Sequence, residues 1–202
     1  MFERRSVLAQ VLRPGGLDGS AGERLLRLGE VCGRQLVQIA AFPATLGPLQ
    51  RVLEAYVEGA LPPRIGEVQV AGKRRLLKTA PEQYWIMAPD GDDLVGELQA
   101  AVPPEIGAVT PLSHSRSCIF VEGSKARELL AKGVALDFHP DEFRRGQFAL
   151  SALHHTTVLI HRSDTDRYEV HAMRTFAVSV WEWMIDAALP YGYEVLGTAA
   201  NG

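Results

Sequence analysis

The chain has 202 residues, of which 47% are hydrophobic and 22% charged, a composition typical of a globular protein with one or two small domains. Its formal net charge of −3 at pH 7 gives no electrostatic argument for binding nucleic acid or an anionic membrane. No stretch reaches the roughly 20 apolar residues of a membrane-spanning helix, and no secretory signal is visible, so we expect a soluble cytoplasmic protein.

The two cysteines, Cys32 and Cys118, are far apart in the sequence. This low usage suits a reducing compartment better than a disulfide scaffold. Two thiols also cannot build a zinc site unaided.

The first 34 residues predict an N-terminal arm that is either loosely attached or laid across a partner, because they contain few residues that could form a core. Phe2 to Leu12 indicates a short amphipathic segment, and the breaker Pro14-Gly15-Gly16 ends it. Gly22 to Val31 suggests one or two helical turns.

A first α+β unit is predicted over residues 35–110. Its elements are, in chain order, a strand at 36–42, a helix from about Leu46 to Gly59, strands at 68–70, 75–77 and 84–87, a helix capped by Asp90, and a strand at 106–109. Pro62-Pro63 predict an extended connection after the first helix, and Pro103-Pro104 end the second helix.

A second unit of the same plan is predicted over residues 111–189, followed by a tail at 190–202. Its elements are a strand at 116–122, a helix at 124–132 capped by Ser124, strands near 148–153, 156–161 and 167–173, and a helix at 175–189. The predicted fold class is therefore α+β, with two ferredoxin-like split βαβ units side by side. Residues 35–189 could alternatively form one compact domain.

Motifs of catalytic sites are missing from the sequence. There is no G-x-G-x-x-G, no phosphate-binding loop around Gly72-Lys73 and no G-x-S-x-G, so Ser124 is interpreted as a helix cap. Ser113, His114 and Ser115 are interpreted as a polar loop.

All six histidines fall in the second half of the chain, but their spacing matches no zinc or facial-triad signature. Strand alternation places Glu169 and His171 on one face of the last hairpin. A metal-dependent enzyme that uses His139, His155 or His171 is a remaining alternative; otherwise we expect no metal or cofactor on this chain.

The last predicted helix is apolar on nearly all sides, since its only polar residues between Phe176 and Leu189 are Ser179, Glu182 and Asp186. Such a helix is normally buried all round, either between two units of the same chain or beneath another protein. Aromatic and Met side chains are enriched in interface cores. The candidate partner surface consists of Phe176, Val180, Trp181, Trp183 and Ile185.

Two stretches carry a resemblance to a known family. The run from Phe120 to Gly133 reads FVEGSKARELLAKG, and LDFHP (Leu136 to Pro140) and Phe143 follow it. Further on, MRTFA at 173–177 precedes Trp181-Glu182-Trp183. Together they resemble the gamma subunit of heterotetrameric sarcosine oxidase, over roughly residues 35–189.

The resemblance implies a non-catalytic subunit related in fold to the folate-binding aminomethyltransferases. It also implies partner alpha, beta and delta subunits, which would carry FAD, covalent FMN, NAD, tetrahydrofolate and zinc. The complex would oxidatively demethylate sarcosine to glycine and yield hydrogen peroxide and methylenetetrahydrofolate. Relatives tend to show a Thr and small residues around Leu150 to His155, so other secondary amines stay open as substrates. The alternative function is a stand-alone folate-binding protein or one-carbon transferase.

Overall fold

The computed structural model describes residues 6–200 and confirms the α+β class. In chain order its elements are β1 (Gly15–Leu17), β2 (Leu26–Cys32), β3 (Arg34–Ala41), α1 (Leu46–Val57), β4 (Val68–Ala71), β5 (Arg74–Ala80), β6 (Gln83–Pro89), α2 (Leu94–Ala101), β7 (Gly107–Pro111), β8 (Arg116–Glu122), α3 (Ala126–Ala131), β9 (Phe148–Leu153), β10 (Thr156–Asp164), β11 (Arg167–Met173), α4 (Ala177–Ala188) and β12 (Tyr193–Ala200).

These elements form two compact units. The continuous unit is Gly33–Ser113, and the split unit combines the described residues up to Cys32 with those from His114 onward. Each unit has its own sheet and its own hydrophobic core.

The continuous unit has a five-stranded antiparallel sheet in the order β4-β5-β6-β3-β7. The core contains alternate strand residues and the apolar stripes of α1 and α2, among them Val37, Ile39, Leu49, Leu53, Leu76, Ile86, Leu94 and Leu98. The cap of α2 was predicted at Asp90, and this is wrong. Asp93 is the N-cap, because its Oδ1 accepts a hydrogen bond from the Gly96 N–H at 3.1 Å.

The split unit has a seven-stranded sheet in the order β1-β12-β2-β8-β11-β10-β9. Neighbouring strands are antiparallel except for the parallel pair β12 and β2. Helices α3 and α4 contribute to its core, which includes Leu26, Leu28, Ile119, Val121, Leu129, Leu130, Tyr168, Val170, Val180, Trp181 and Met184. The helix α4 therefore packs in the core of the unit that contains both chain ends.

The N-terminal segment and the C-terminal tail differ from the predicted arm at 1–34 and tail at 190–202. Leu26–Cys32 is a strand rather than a helical turn, because Leu26 and Leu28 alternate with Arg27 and point into the core. The tail strand β12 inserts between β1 and β2. Residues 2–5 of the predicted amphipathic segment lie outside the described residues.

The boundaries of the units accordingly fall at Cys32/Gly33 and Ser113/His114 rather than at 34/35 and 110/111. The predicted cap at Ser124 is also wrong. The helix α3 begins at Ala126, and the Ala126 N–H donates to the Gly123 carbonyl at 3.0 Å, so Ser124 lies in the preceding turn.

Candidate partner interface

The helix α4 has an inner side that forms part of the core and an outer side that stays partly open. On the inner side Val180, Trp181 and Met184 are at most 3% exposed. On its two flanks Trp183 and Ile185 are only half-buried. Phe176, just before the first turn, is 44% exposed. The structure therefore divides the five predicted interface residues between the core and the surface.

A cavity of about 400 Å³ lies along one flank of α4, and we call it the Trp183 hollow. It is lined by Leu153, His154, His155, Thr156, Phe176, Ser179, Val180 and Trp183. Three of the five predicted residues are thus brought together at one apolar depression, which is large enough to accept one or two side chains of another protein.

Trp183 is held in this hollow by a glycine and a turn. A Cβ atom added at Gly133 would lie 2.4 Å from Trp183 Cζ2, so the indole packs directly on that glycine. His154 adopts a left-handed backbone (φ 52°) between β9 and β10 and places its ring 5.4 Å from the Trp183 ring, edge to face. The indole is therefore fixed before any partner arrives.

A second cavity of about 370 Å³ lies along the other flank of α4, and we call it the Ile185 hollow. Its lining residues are Val11, Arg13, Gly15, Gly16, Leu17, Trp181, Ile185, Tyr193 and Val195. The edge strand β1 and the tail strand β12 form its wall. Sequence reasoning missed this wall because it placed β1 in the N-terminal arm and predicted no strand in the tail at 190–202.

The end of α4 is fixed by Lys132. The Lys132 ammonium donates to the Ala187 carbonyl at 2.7 Å and lies 4.2 Å from the centre of the Tyr191 ring. A cation at this position satisfies an orphan carbonyl and complements the negative end of the helix dipole. The helix is thereby anchored at the end away from Phe176.

Further large apolar side chains are exposed around α4 in the split unit. Met173, Phe176 and Leu189 are 43–44% exposed, and Leu17 in the Ile185 hollow is 47% exposed. Exposed apolar side chains that form a contiguous area are typical of protein–protein contacts. No strong sequence signal marks Leu17, because its position depends on the pairing of β1 with β12.

The residues considered for catalysis make contacts that fit structural roles. Ser113 Oγ accepts a hydrogen bond from the Leu36 N–H at 2.9 Å and donates to the Leu36 carbonyl at 3.3 Å. His139 Nδ1 accepts from the Asp141 N–H in a turn. His155 lines the Trp183 hollow, whereas His171 is buried beside Cys118.

The metal alternative named His139, His155 and His171, and these three do not form a common ligand cluster within residues 6–200. Instead, His171 groups with Cys118 and Glu169. No helix in the described part of the chain is long and apolar enough to cross a membrane.

A family model described as the sarcosine oxidase gamma subunit family matches residues 52–189. The chain belongs to the sarcosine oxidase gamma subunit family. Two sarcosine oxidase gamma subunits, from Corynebacterium sp. (strain U-96) and from Arthrobacter sp., are each 30% identical to it and align with 91% of this chain and 89% of theirs. The resemblance inferred from the sequence motifs is thereby confirmed.

Solved structures support the same family. A chain of the heterotetrameric sarcosine oxidase from Corynebacterium sp. U-96 superimposes with a TM-score of 0.81 at 28% identity, covering 93% of this gamma-family chain and 96% of that chain. The glycine cleavage aminomethyltransferase T from Bartonella henselae gives a TM-score of 0.61 at 16% identity, over 86% of this chain and 48% of that one. The second match confirms the predicted aminomethyltransferase-like fold. At 16% identity it supports a shared fold and no shared function.

Proposed function

We propose that this chain is the non-catalytic gamma subunit of a heterotetrameric flavoenzyme that oxidatively demethylates sarcosine to glycine. The observation that carries the proposal is the match to a chain of a heterotetrameric sarcosine oxidase over 93% of this sequence. The family model and the curated relatives support it independently. The products would be glycine, hydrogen peroxide and, with tetrahydrofolate, methylenetetrahydrofolate.

In this proposal the alpha, beta and delta subunits carry FAD, FMN, NAD, tetrahydrofolate and zinc for the reaction. The gamma subunit contributes a folded surface that supports the large alpha subunit. We place the complex in the cytoplasm, and the presence of Cys32 and Cys118 as thiols is consistent with that compartment.

The proposed contact with the alpha subunit is the surface around α4. Phe176 and the Trp183 hollow would accept apolar side chains of the partner on one flank, and the Ile185 hollow would accept others on the second flank. Trp183 suits this role because it is an aromatic side chain held in a packed pocket, as interface hot spots commonly are. Val180 and Trp181 would support the surface from within the core.

Co-expression with the three other subunits tests the proposal. A tagged form of this chain should recover all of them in one species during size-exclusion chromatography, with sarcosine-dependent production of hydrogen peroxide. A monodisperse chain that recovers none of them would contradict the assignment.

Titration of the isolated chain with tetrahydrofolate tests the alternative of a stand-alone folate protein. We expect no binding, because the chain corresponds to only 48% of the aminomethyltransferase that it matches in fold. Saturable binding by the chain alone would favour the alternative instead.

A further inference from the structure

A row of buried polar side chains crosses the sheet of the split unit on the face that does not carry the main core. Ile119 and Val170 are core residues, so their strand neighbours Cys118 and His171 point to the opposite face. The register pairs Cys118 directly with His171, and it pairs Glu169 with His161. Adjacent strands therefore bring four potential ligands into one patch.

These side chains are nearly inaccessible to solvent. Cys118 is 9% exposed, Glu169 1%, His171 4% and His161 3%. A carboxylate and two imidazoles at this depth require strong compensating interactions, because burial of charge without a partner is costly. Glu169 and His171 have other interactions in the structure, and a bound cation would add to them.

The distances between the donor atoms fit a common metal ion. Cys118 Sγ lies 3.7 Å from His171 Nε2, and Glu169 Oε2 lies 3.9 Å from the same nitrogen. All three ligand atoms lie within 4.8 Å of one another. Zinc bonds of about 2.0–2.3 Å in a tetrahedron separate the ligand atoms by roughly 3.3–3.8 Å, so only small side-chain movements are needed.

The same geometry argues against a cysteine–histidine–acid catalytic triad. In a triad the acid holds the ring nitrogen opposite to the one that faces the nucleophile. Here the thiol and the carboxylate both approach Nε2 of His171. The approach of both groups to the same ring nitrogen fits a coordination site better than a triad.

His161 provides an independent indication. Its Nδ1 lies 3.6 Å from Glu169 Oε2, which is beyond hydrogen-bond distance, and this buried nitrogen has no hydrogen-bond partner among the described residues. A buried polar atom without a partner is unfavourable. A rotation of the His161 ring toward Glu169 would allow Nδ1 to donate to the carboxylate, as residues behind metal ligands commonly do.

We propose that this patch is a zinc site with three protein ligands, Cys118, Glu169 and His171, and that His161 positions Glu169. Thiolate and imidazole donors with a carboxylate favour zinc over magnesium or calcium. The metal would join β8 and β11, and it would enter during folding because the ligands are buried. All three ligand residues also take part in other interactions, with which the metal must compete.

Metal analysis of the full-length chain tests this site without any partner subunit. The chain is produced with added zinc, dialysed against a weak chelator and analysed for bound metal. We expect stoichiometric zinc in the wild type and its loss in Cys118→Ser and His171→Gln. His161→Gln should retain zinc but lower its affinity about 10–100-fold.

Two matched variants control for adventitious binding. Cys32→Ser removes the other thiol, whose even-numbered position in β2 points to the face of Leu26 and Leu28. His139→Gln removes an exposed imidazole. Both should bind zinc as the wild type does.

Cobalt substitution in the wild type keeps the test decisive if Cys118→Ser fails to fold. Binding at Cys118 should produce a thiolate-to-cobalt charge-transfer band, which Cys32→Ser should leave unchanged. Wild-type chain without bound zinc above background, or cobalt without the thiolate band, would overturn the proposal. So would zinc retained in full by folded Cys118→Ser.

Discussion

The helices α1 and α4 are both 12 residues long and each has a buried apolar side, but the flanks beside that side differ. In α1 the buried side is Leu49, Leu53 and Val57, and the opposite side exposes Arg51 and Glu54. In α4 the buried side is equally apolar and the opposite side exposes Glu182 and Asp186, but the half-buried Trp183 and Ile185 on its two flanks line the two hollows.

The inner sides of the two helices have the same structural role, because each packs into the core of its own unit. The flanks of the two helices differ in what they can bind. The exposed side of each helix faces water, whereas the flanks of α4 leave apolar surface in the Trp183 and Ile185 hollows unless another surface covers it. This difference is the physical basis for assigning the partner contact to α4.

Truncation of the inner sides should have the largest effect and should affect both helices alike. Met184 and Leu53 are each 0% exposed. We expect Met184→Ala and Leu53→Ala each to lower the free energy of unfolding by about 2–5 kcal/mol, measured by urea denaturation. A loss of less than about 1 kcal/mol in only one of them would contradict the equal packing of the two inner sides.

A methyl group at Gly133 should displace Trp183 and distinguish the two helices. Because its Cβ would lie 2.4 Å from the indole, we expect Gly133→Ala to lower the free energy of unfolding by about 1–3 kcal/mol. The shift of Trp183 should also change its fluorescence.

Gly59→Ala, just beyond α1, is the matched control. Its Cβ would meet nothing closer than 3.7 Å, so stability should stay the same or rise by up to about 1 kcal/mol. Equal stability of both variants would show that Trp183 does not depend on Gly133.

Lys132, at the end of α4, should make a smaller contribution to the free energy of unfolding. Lys132→Met removes the contacts with the Ala187 carbonyl and the Tyr191 ring, and we expect it to lower the free energy of unfolding by about 0.5–1.5 kcal/mol. Lys125→Met removes an exposed ion pair with Glu128 and should change stability by less than about 0.5 kcal/mol. Equal losses in a urea titration would remove the argument that Lys132 anchors the helix.

The pH dependence at the end of α1 should be the smallest effect. Burial and then the 2.7 Å hydrogen bond to Glu97 raise the pKa of Tyr56. The unfolded phenol ionises at about pH 10, and the folded one ionises at a higher pH. The contribution of Tyr56 to the free energy of unfolding is therefore fully present below about pH 10 and is lost as pH rises above it.

Tyr56→Phe should therefore make this alkaline fall less steep, as measured by urea midpoints across that range. Burial also raises the pKa of Tyr168 in the split unit, so a residual fall should remain. An unchanged slope in Tyr56→Phe would contradict the role of Tyr56.

Periodicity predicted the strands with clear alternation and the terminal helix. The predicted strands at 148–153 and 167–173 coincide with β9 and β11. The tail strand β12 and edge strand β1 could not be predicted, because β1 contains two glycines in three residues and is defined by pairing with residues almost 180 positions away. Local propensity carries no information on such pairing.

The candidate sites were predicted only in part, because local sequence patterns do not determine tertiary contacts. Helical spacing placed Phe176 and Trp183 on an apolar helix, but it could not say that Val180 and Trp181 are covered by the unit's own sheet. Strand alternation placed Glu169 and His171 on one face. It could not bring Cys118 beside them, since the register between β8 and β11 is set by tertiary structure.

The most direct test of the partner surface is the affinity of Phe176→Ser for the assembled alpha, beta and delta subunits. Phe176 is 44% exposed, so its unfolding free energy should change by no more than about 0.5 kcal/mol. Affinity should fall at least about tenfold, equivalent to about 1.4 kcal/mol. Val70→Ser on β4, where Val70 is 62% exposed, should bind like the wild type. Wild-type affinity in Phe176→Ser, or an equal loss in Val70→Ser, would contradict the assignment of the contact to α4.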